Sequence, residues 1–237
     1  MPNSRAVFGA ALALLMLTVT RVSAAPDPRA QAVLAAAKAA SGGAAWDQMP
    51  GWHEVGSHNG ARYETWLDPY RYGMTTQETR DGKTSDHRFD GQIIWFRNMA
   101  GAVTAVDTPA AVADAKDSAY FSVSAYFFPN RFAADITYVG ERTQDGVTYD
   151  VLHIVPAGVG ADLWFDRATH LPGVAVIHRG AATLTVTLTD YRVTAGMKIP
   201  WHVHVSDGDP KDDDDGHITS LEFPPVDRAI FAAPAAK

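Results

Sequence analysis

Three histidines near the C-terminal end of the chain could together bind a metal ion. His202 and His204 alternate with apolar residues, which predicts that both lie on one face of a strand, about 7 Å apart. His217 begins the next predicted strand, which could return beside them. Three imidazoles in this arrangement could hold zinc and serve a metal-dependent enzyme. The simpler alternative is a polar, solvent-facing strand surface, and because the sequence does not define the register, we predict no metal ligands here.

An acidic segment at residues 207–216 lies between these two strands. Six of its ten residues are aspartate, and carboxylates on a flexible loop are the ligands that Ca²⁺ prefers. The spacing departs from that of an EF-hand, because Thr219 or Ser220 stands near the place where a glutamate is required. Uncompensated acidic runs are usually solvated, so the sequence leaves calcium binding open.

Motifs of the common hydrolases are missing from the sequence. His53-Glu54 could begin a zinc-protease helix, but Ser57 occupies the place of the second histidine and His58 stands one residue too far along. There is no Gly-x-Ser-x-Gly segment and no cysteine, which excludes that type of serine hydrolase, cysteine catalysis and thiolate–zinc sites. We therefore predict no catalytic residue and no cofactor.

The remaining candidate site is an apolar cavity lined by aromatic and aliphatic side chains. Ligand pockets are lined mostly by such residues, although the same set could fill a solid core, which is their commoner role. The segment from Tyr120 to Phe132 holds more aromatic residues than one helix face needs, which favours a lid over a cavity. The predicted cavity-lining residues are Trp66, Tyr72, Trp95, Phe121, Tyr126, Phe127, Trp164, Leu184, Val186 and Leu188.

Alternating hydrophobicity predicts that most of the chain forms short antiparallel strands. Turn dipeptides such as Asn59-Gly60, Asp81-Gly82 and Asp145-Gly146 separate them. About a dozen strands at this spacing favour a barrel or a sandwich with one dry and one wet face. The predicted strands are Trp52–Ser57, Arg62–Leu67, Arg71–Gln77, Ser85–Phe89, Gln92–Asn98, Ile136–Arg142, Thr148–Val155, Asp162–Asp166, Val174–His178, Thr183–Arg192, Lys198–Ser206 and His217–Phe223.

Two helical regions interrupt this strand pattern. Asp27 is a candidate N-cap with Pro28 at the first helical position, and Gly42-Gly43 ends the first helix. An inserted helical segment at residues 108–128 contains an alanine-rich stretch and, as a separate helix, Asp117–Tyr126. Alanine-rich helices are slim and can lie close against a sheet.

The first 25 residues have the features of a secretory signal peptide. Arg5 precedes an apolar run, and small residues predict cleavage after Ala24 or Ala25. An uncleaved membrane anchor is disfavoured because the run is short and Arg21 closes it. The remaining chain is expected to form one domain over residues 26–231 with a frayed tail at 232–237. The formal net charge of −7 and the absence of a basic cluster argue against a nucleic-acid partner.

Several sequence segments together form a recognisable pattern. The segments are ASGGAAW at 40–46, FDGQIIW at 89–95, LWFD at 163–166, Asp190-Tyr191-Arg192 with Gly196 and Ile199-Pro200, and VDRAIF at 226–231. This pattern resembles the bacterial outer-membrane lipoprotein-sorting group (LolA/LolB-like), and most of all its uncharacterised periplasmic branch, whose members sometimes precede an aspartyl-protease domain. The resemblance extends over nearly all of the chain after the leader.

This resemblance implies an α+β fold, an incomplete, half-open antiparallel β-barrel whose concave face carries the N-terminal helix and the inserted helical segment. It further implies a periplasmic, non-catalytic carrier or binding protein for a lipid, a lipoprotein acyl group or another hydrophobic ligand. Its partners would include an envelope lipoprotein or a membrane receptor. An accessory domain of an envelope protease is an alternative, because the chain lacks the Asp-Thr/Ser-Gly triplet of the protease itself. A structural envelope protein with a filled core is a third.

Overall fold

The computed structural model describes residues 27–179 and 182–234. The predicted signal peptide, with its cleavage site, and the last three residues of the predicted tail lie outside the described residues. Within the described part of the chain, no helix combines the length and apolar character needed to span a membrane.

One antiparallel sheet of thirteen strands forms most of the structure. The prediction of about a dozen strands is confirmed, and the additional strand is the four-residue β6. In chain order the strands are β1 (Trp52–His58), β2 (Ala61–Leu67), β3 (Met74–Arg80), β4 (Lys83–Phe89), β5 (Ile94–Arg97), β6 (Val103–Val106), β7 (Asp135–Gln144), β8 (Val147–Val155), β9 (Ala161–Asp166), β10 (Pro172–Arg179), β11 (Ala182–Thr194), β12 (Met197–Ser206) and β13 (Asp214–Glu222).

The order of the strands leaves the barrel open. From one edge to the other the order is β6-β5-β4-β3-β2-β1-β13-β12-β11-β10-β9-β8-β7. The chain therefore builds one half outwards from the centre, crosses to the opposite edge, and returns to the centre, where β13 pairs with β1. The two edge strands, β6 and β7, do not pair with each other. This confirms the predicted α+β, half-open antiparallel barrel.

Within residues 27–179 and 182–234, two α-helices and three 3₁₀ helices complete the fold. The α-helices are α1 (Pro28–Ala40) and α2 (Pro109–Ser122), and the 3₁₀ segments are Gly43–Gln48, Ala125–Phe127 and Arg228–Phe231. Because α2 and the 3₁₀ turn after it connect one sheet edge to the other, they cross the open, concave side of the sheet. The core lies between this side of the sheet and the helices.

The α-helix of the inserted region runs without a break from Pro109 to Ser122, so the prediction of a separate helix at Asp117–Tyr126 is wrong. The side chain of Thr108 caps α2 by accepting a hydrogen bond from the backbone N–H of Ala111 at 3.4 Å. Ser124 then adopts a positive φ of 53°, which ends the helical path before the 3₁₀ turn.

Asp27 joins the start of α1 to an edge of the sheet, and its predicted N-cap role is confirmed. Its Oδ1 accepts hydrogen bonds from the backbone N–H groups of Arg29 and Ala30 at 2.9 and 3.3 Å. Its Oδ2 accepts the backbone N–H of Tyr138 on β7 at 2.8 Å. These hydrogen bonds lower the pKa of Asp27, and the bond from Tyr138 has the largest effect. One carboxylate thus caps a helix and satisfies a donor of an exposed sheet edge.

Two glycine turns far apart in sequence meet on the concave side. Gly42, after α1, has a φ of +133°, and a β-carbon there would lie 2.5 Å from the carbonyl oxygen of Gly196. The backbone N–H of Lys198 also donates to the carbonyl oxygen of Ser41 at 2.7 Å. The close approach explains why glycine stands at position 42.

Candidate ligand-binding site

A cavity of about 350 Å³ lies between the concave face of the sheet and the helical insertion. Strands from both halves of the sheet supply its walls, and the end of α2 with the following 3₁₀ turn lies across it. Most of the lining side chains are apolar, including Leu67, Met74, Phe121, Tyr126, Phe127, Leu163, Ala175, Ile177, Val186, Leu188, Val203 and Ile218.

Aromatic packing holds the 3₁₀ turn over this cavity. Phe127 contacts Trp46 with ring centroids 5.0 Å apart, and Tyr126 meets Phe165 of β9 edge-on at 6.1 Å. Lys38 of α1 adds a polar tie, donating to the carbonyl oxygen of Phe127 at 3.1 Å. Burial raises the pKa of Tyr126 to about 12, so its hydroxyl stays protonated and donates to Ser124 Oγ at 3.2 Å.

Asp117 fastens α2 to the loop between β8 and β9. Its carboxylate is buried and accepts the backbone N–H groups of Ala157, Gly158 and Gly160 at 2.9, 2.9 and 2.8 Å. A second cavity, of about 220 Å³, lies beside this contact and shares Phe121 with the first. The position of α2 over the sheet therefore depends on a buried carboxylate, which the sequence analysis did not single out.

One acidic side chain, that of Glu54, lines the mostly apolar wall. Tyr63 donates its hydroxyl to Glu54 Oε1 at 2.5 Å, and the indole N–H of Trp52 donates to Glu54 Oε2 at 3.0 Å. Burial raises the pKa of Glu54 above its usual value, and the two hydrogen bonds oppose that shift. In the sequence, Glu54 belongs to the His53-Glu54 pair, whose zinc-protease pattern is incomplete. Glu54 stands two residues after Trp52 on β1, and this spacing is the signal that could have placed both side chains on the concave face.

Half of the predicted cavity-lining residues line this cavity. Phe121, Tyr126, Phe127, Val186 and Leu188 do so, whereas Trp66, Tyr72, Trp95, Trp164 and Leu184 are not among its lining residues. Ligand contact by any of the ten stays a prediction.

Strand parity explains where two of the tryptophans lie. Trp66 is adjacent to the buried Leu67 on β2, points to the opposite face and stacks on His53 at 3.9 Å. Trp164 alternates with buried leucine and phenylalanine on β9 and packs beside Tyr149 at 5.7 Å. Both faces of these strands carry large apolar groups, so hydrophobicity alone did not distinguish them.

Several solved structures are similar to this architecture. A LolA superfamily protein from Nitrosomonas europaea superposes with a TM-score of 0.58 at 13% identity, covering 86% of this chain and 97% of that one. An outer membrane lipoprotein-sorting protein domain from Vibrio parahaemolyticus gives 0.53 at 13% identity, with 82% and 92% covered. A DUF1329 family protein from Desulfovibrio piger gives 0.52 at 14% identity, with 87% and 98% covered.

The chain has a LolA-like fold. This confirms the resemblance as one of fold, since the identities are too low to extend it further. No protein-family model and no curated protein matches the sequence.

The predicted histidine corner lies on the convex face of this LolA-like sheet. His202 and His204 share a face, as predicted, and both approach Asp215 Oδ1, at 2.9 and 3.1 Å. Hydrogen bonds with these two histidines lower the pKa of Asp215. The His217 ring stacks flat on His202, with centroids 4.4 Å apart. Among residues 27–179 and 182–234, no three such side chains are arranged to hold a metal ion.

The acidic segment at 207–216 is partly strand. Asp214 and Asp215 belong to β13, which begins three residues before the predicted His217. Asp214 Oδ2 lies 3.1 Å from Nδ1 of His58 on β1, so part of the acidic charge faces histidine across the sheet.

Proposed function

We propose that this LolA-like chain is a non-catalytic, periplasmic carrier or binding protein for a hydrophobic ligand, such as a lipid or the acyl group of a lipoprotein. The cavity beneath the helical insertion carries this proposal. Its volume of about 350 Å³ falls within the range of roughly 300–1,000 Å³ that is usual for ligand sites. Its wall is mostly apolar, and both α2 and the 3₁₀ turn are tied down over it.

Burial of an acyl chain would supply enough free energy for such binding. At about 0.8 kcal/mol per buried methylene, a chain of fourteen methylenes would contribute roughly 11 kcal/mol. Association costs of about 4–15 kcal/mol reduce this gain, so micromolar or weaker binding of a single chain is expected. The fold likeness to the Vibrio parahaemolyticus domain named for lipoprotein sorting is further support.

The location rests on the leader sequence. Export and cleavage after Ala24 or Ala25 would deliver a single domain, residues 26–231, to the periplasm, where an envelope lipoprotein or a membrane receptor could be its partner. The intact mass of protein recovered from the cell envelope tests the cleavage, because an uncleaved chain would retain the mass of the leader.

Ligand binding is tested by native mass spectrometry of protein purified from cell envelope, followed by organic extraction. Co-purifying lipid, together with uptake of the fluorescent apolar probe N-phenylnaphthylamine, is the expected result. Leu188→Trp fills the cavity and should weaken uptake, whereas Thr187→Trp, on the opposite face of the same strand, should not. A ligand-free mass with no probe uptake would show that the cavity is not a binding site.

A further inference from the structure

The charged residues that line the cavity are Glu54 and Lys198. Lys198 stands between the buried residues Met197 and Ile199 on β12, and its side chain is exposed. Lys198 does not contribute to the charge environment of Glu54, which includes no basic side chain. Among the described residues that line the cavity, the carboxyl group of Glu54 is therefore an acidic group without a neighbouring cation.

This carboxyl group is held by a dedicated arrangement of neighbours. Gly56 lies two residues further along β1, at a bulge in the pairing with β13. A β-carbon at Gly56 would come within 2.4 Å of the Tyr63 ring. The glycine therefore makes room for the ring, whose hydroxyl reaches Glu54 Oε1 while Trp52 reaches Oε2. Two strands and three neighbouring residues thus set the position of one carboxylate.

The carboxylate retains unused capacity to accept hydrogen bonds. Each of its oxygens can accept about two, and each accepts one from the protein. No basic side chain among the described residues contributes to the charge environment of Glu54. Burial and the nearby Glu54 raise the pKa of Tyr63, so Tyr63 remains a donor. An ionised Glu54 is thus an anion in a mostly apolar wall, with no cation of the described residues beside it.

The cavity-lining groups beside Glu54 on β2 and β3 are neutral, whereas His58 and Glu78, 3.7 Å apart, lie beyond Tyr63 on the same face. Thr65 pairs with Glu54 in the register of β1 and β2, and its hydroxyl lies 2.9 Å from that of Thr76 on β3. Both threonines line the cavity, as do Tyr126 and Tyr191. These hydroxyls can accept further hydrogen bonds from a ligand, but they do not neutralise the carboxylate.

Building on the proposed function, we propose that Glu54 selects the head group of the ligand, and that the cavity takes a hydrophobic molecule carrying a cationic amine. The ammonium group pairs with Glu54, and the apolar part lies against the aliphatic wall. An acyl chain ending in a carboxylate would place two like charges together and is disfavoured. A neutral alcohol forms no ion pair with Glu54 and should therefore bind more weakly than the amine.

The test compares three head groups on one chain length. Dodecylamine, dodecanol and dodecanoate, each below its critical micelle concentration, compete with bound N-phenylnaphthylamine. We expect dodecylamine to displace the probe at about one-tenth of the dodecanol concentration, with dodecanoate weakest. Glu54→Gln should bring dodecylamine to within about twofold of dodecanol and leave dodecanol unchanged. Glu222→Gln, which removes an equal charge at an exposed position of β13, should retain the preference.

The outcomes separate this inference from the proposed function. If the probe and dodecanol bind but dodecylamine has no advantage, or if Glu54→Gln preserves its advantage, head-group selection is wrong and the carrier function survives. If neither the probe nor dodecanol binds, both proposals fail. Circular dichroism of Glu54→Gln confirms that the variant is folded, so a lost preference reports on the carboxylate.

Discussion

Removal of the Asp117 carboxylate should destabilise the protein and loosen the insertion over the cavity. The carboxylate accepts three backbone N–H groups of the β8–β9 loop. Asp117→Ala leaves the buried Gly160 N–H without an acceptor, at a cost of about 1–3 kcal/mol. Water can reach Ala157 and Gly158, so each of those lost bonds costs about 0.5–1.5 kcal/mol. The expected total is about 2–6 kcal/mol.

This loss is measurable by thermal and urea unfolding. For a domain of this size, about 2–4 °C of melting temperature corresponds to 1 kcal/mol, so Asp117→Ala should melt at least about 4 °C lower. Asp117→Asn should be intermediate, because its amide nitrogen cannot accept a hydrogen bond. Hydrogen exchange should accelerate at residues 157–160 in both variants.

Asp114 provides a matched control on the same helix. It is exposed, and its side chain is one turn away from Asp117. Asp114→Ala should change stability by no more than about 0.5 kcal/mol. Equal melting temperatures for Asp117→Ala, Asp114→Ala and the parent protein would refute the reasoning, since the cost of burying the carboxylate would then cancel its hydrogen bonds.

Three further predictions follow from the geometry around the cavity. The folded-state pKa of Glu54 is raised, so its neutral form stabilises the protein below the unfolded pKa, and this contribution is lost as pH rises through the folded value. Glutamine does not titrate. The melting temperature of Glu54→Gln, relative to that of the parent protein, should therefore increase between pH 4 and pH 8. Tyr63→Phe removes a donor that lowers the pKa of Glu54, so carboxyl-carbon NMR titration should show that pKa rising further. Gly42→Ala should reduce the free energy of unfolding in urea more than Gly43→Ala does. Both substitutions impose a backbone penalty of about 1–3 kcal/mol, but of the two positions only 42 meets a carbonyl oxygen at 2.5 Å. Equal losses would contradict the close approach.

Local features of the fold could be predicted from neighbouring residues. The first helix begins after Asp27, as its capping pattern predicts. Asn59-Gly60, Asp81-Gly82 and Asp145-Gly146 all adopt positive φ at both positions, as expected of tight hairpin turns. These features depend on residues only a few positions apart, which is why the sequence determines them.

The local predictions failed where a side chain redirected the backbone. Strand β3 begins at Met74, three residues after the predicted start at Arg71. Asp68 accepts the backbone N–H groups of Tyr70 and Arg71 at 2.8 and 3.3 Å, which holds this stretch as a turn.

Strand β6 was not predicted for a different reason, because four residues are too few to establish a period of two.

Long-range contacts join four of the segments that carry the family resemblance into two pairs. Gly42 from the first segment contacts the Gly196 turn of the fourth. Arg228 of the last segment donates to the carboxylate of Asp68 and, at 3.0 Å, to the carbonyl oxygen of Asp90 in the second. The sequence marks these segments individually, but only folding shows that they pack against one another.

The sequence by itself determined the α+β class, the strand-rich order and the resemblance to the LolA-like group. The tertiary structure alone decided that β1 lies beside β13, which strand faces line the cavity, and that Glu54 stands in its wall. Alternation divides the side chains of a strand into two sets, but it does not say which set faces inward when both contain large apolar groups, as around Trp66 and Trp164. That choice depends on how strands distant in the chain pair and curve, and on where the helical insertion crosses them.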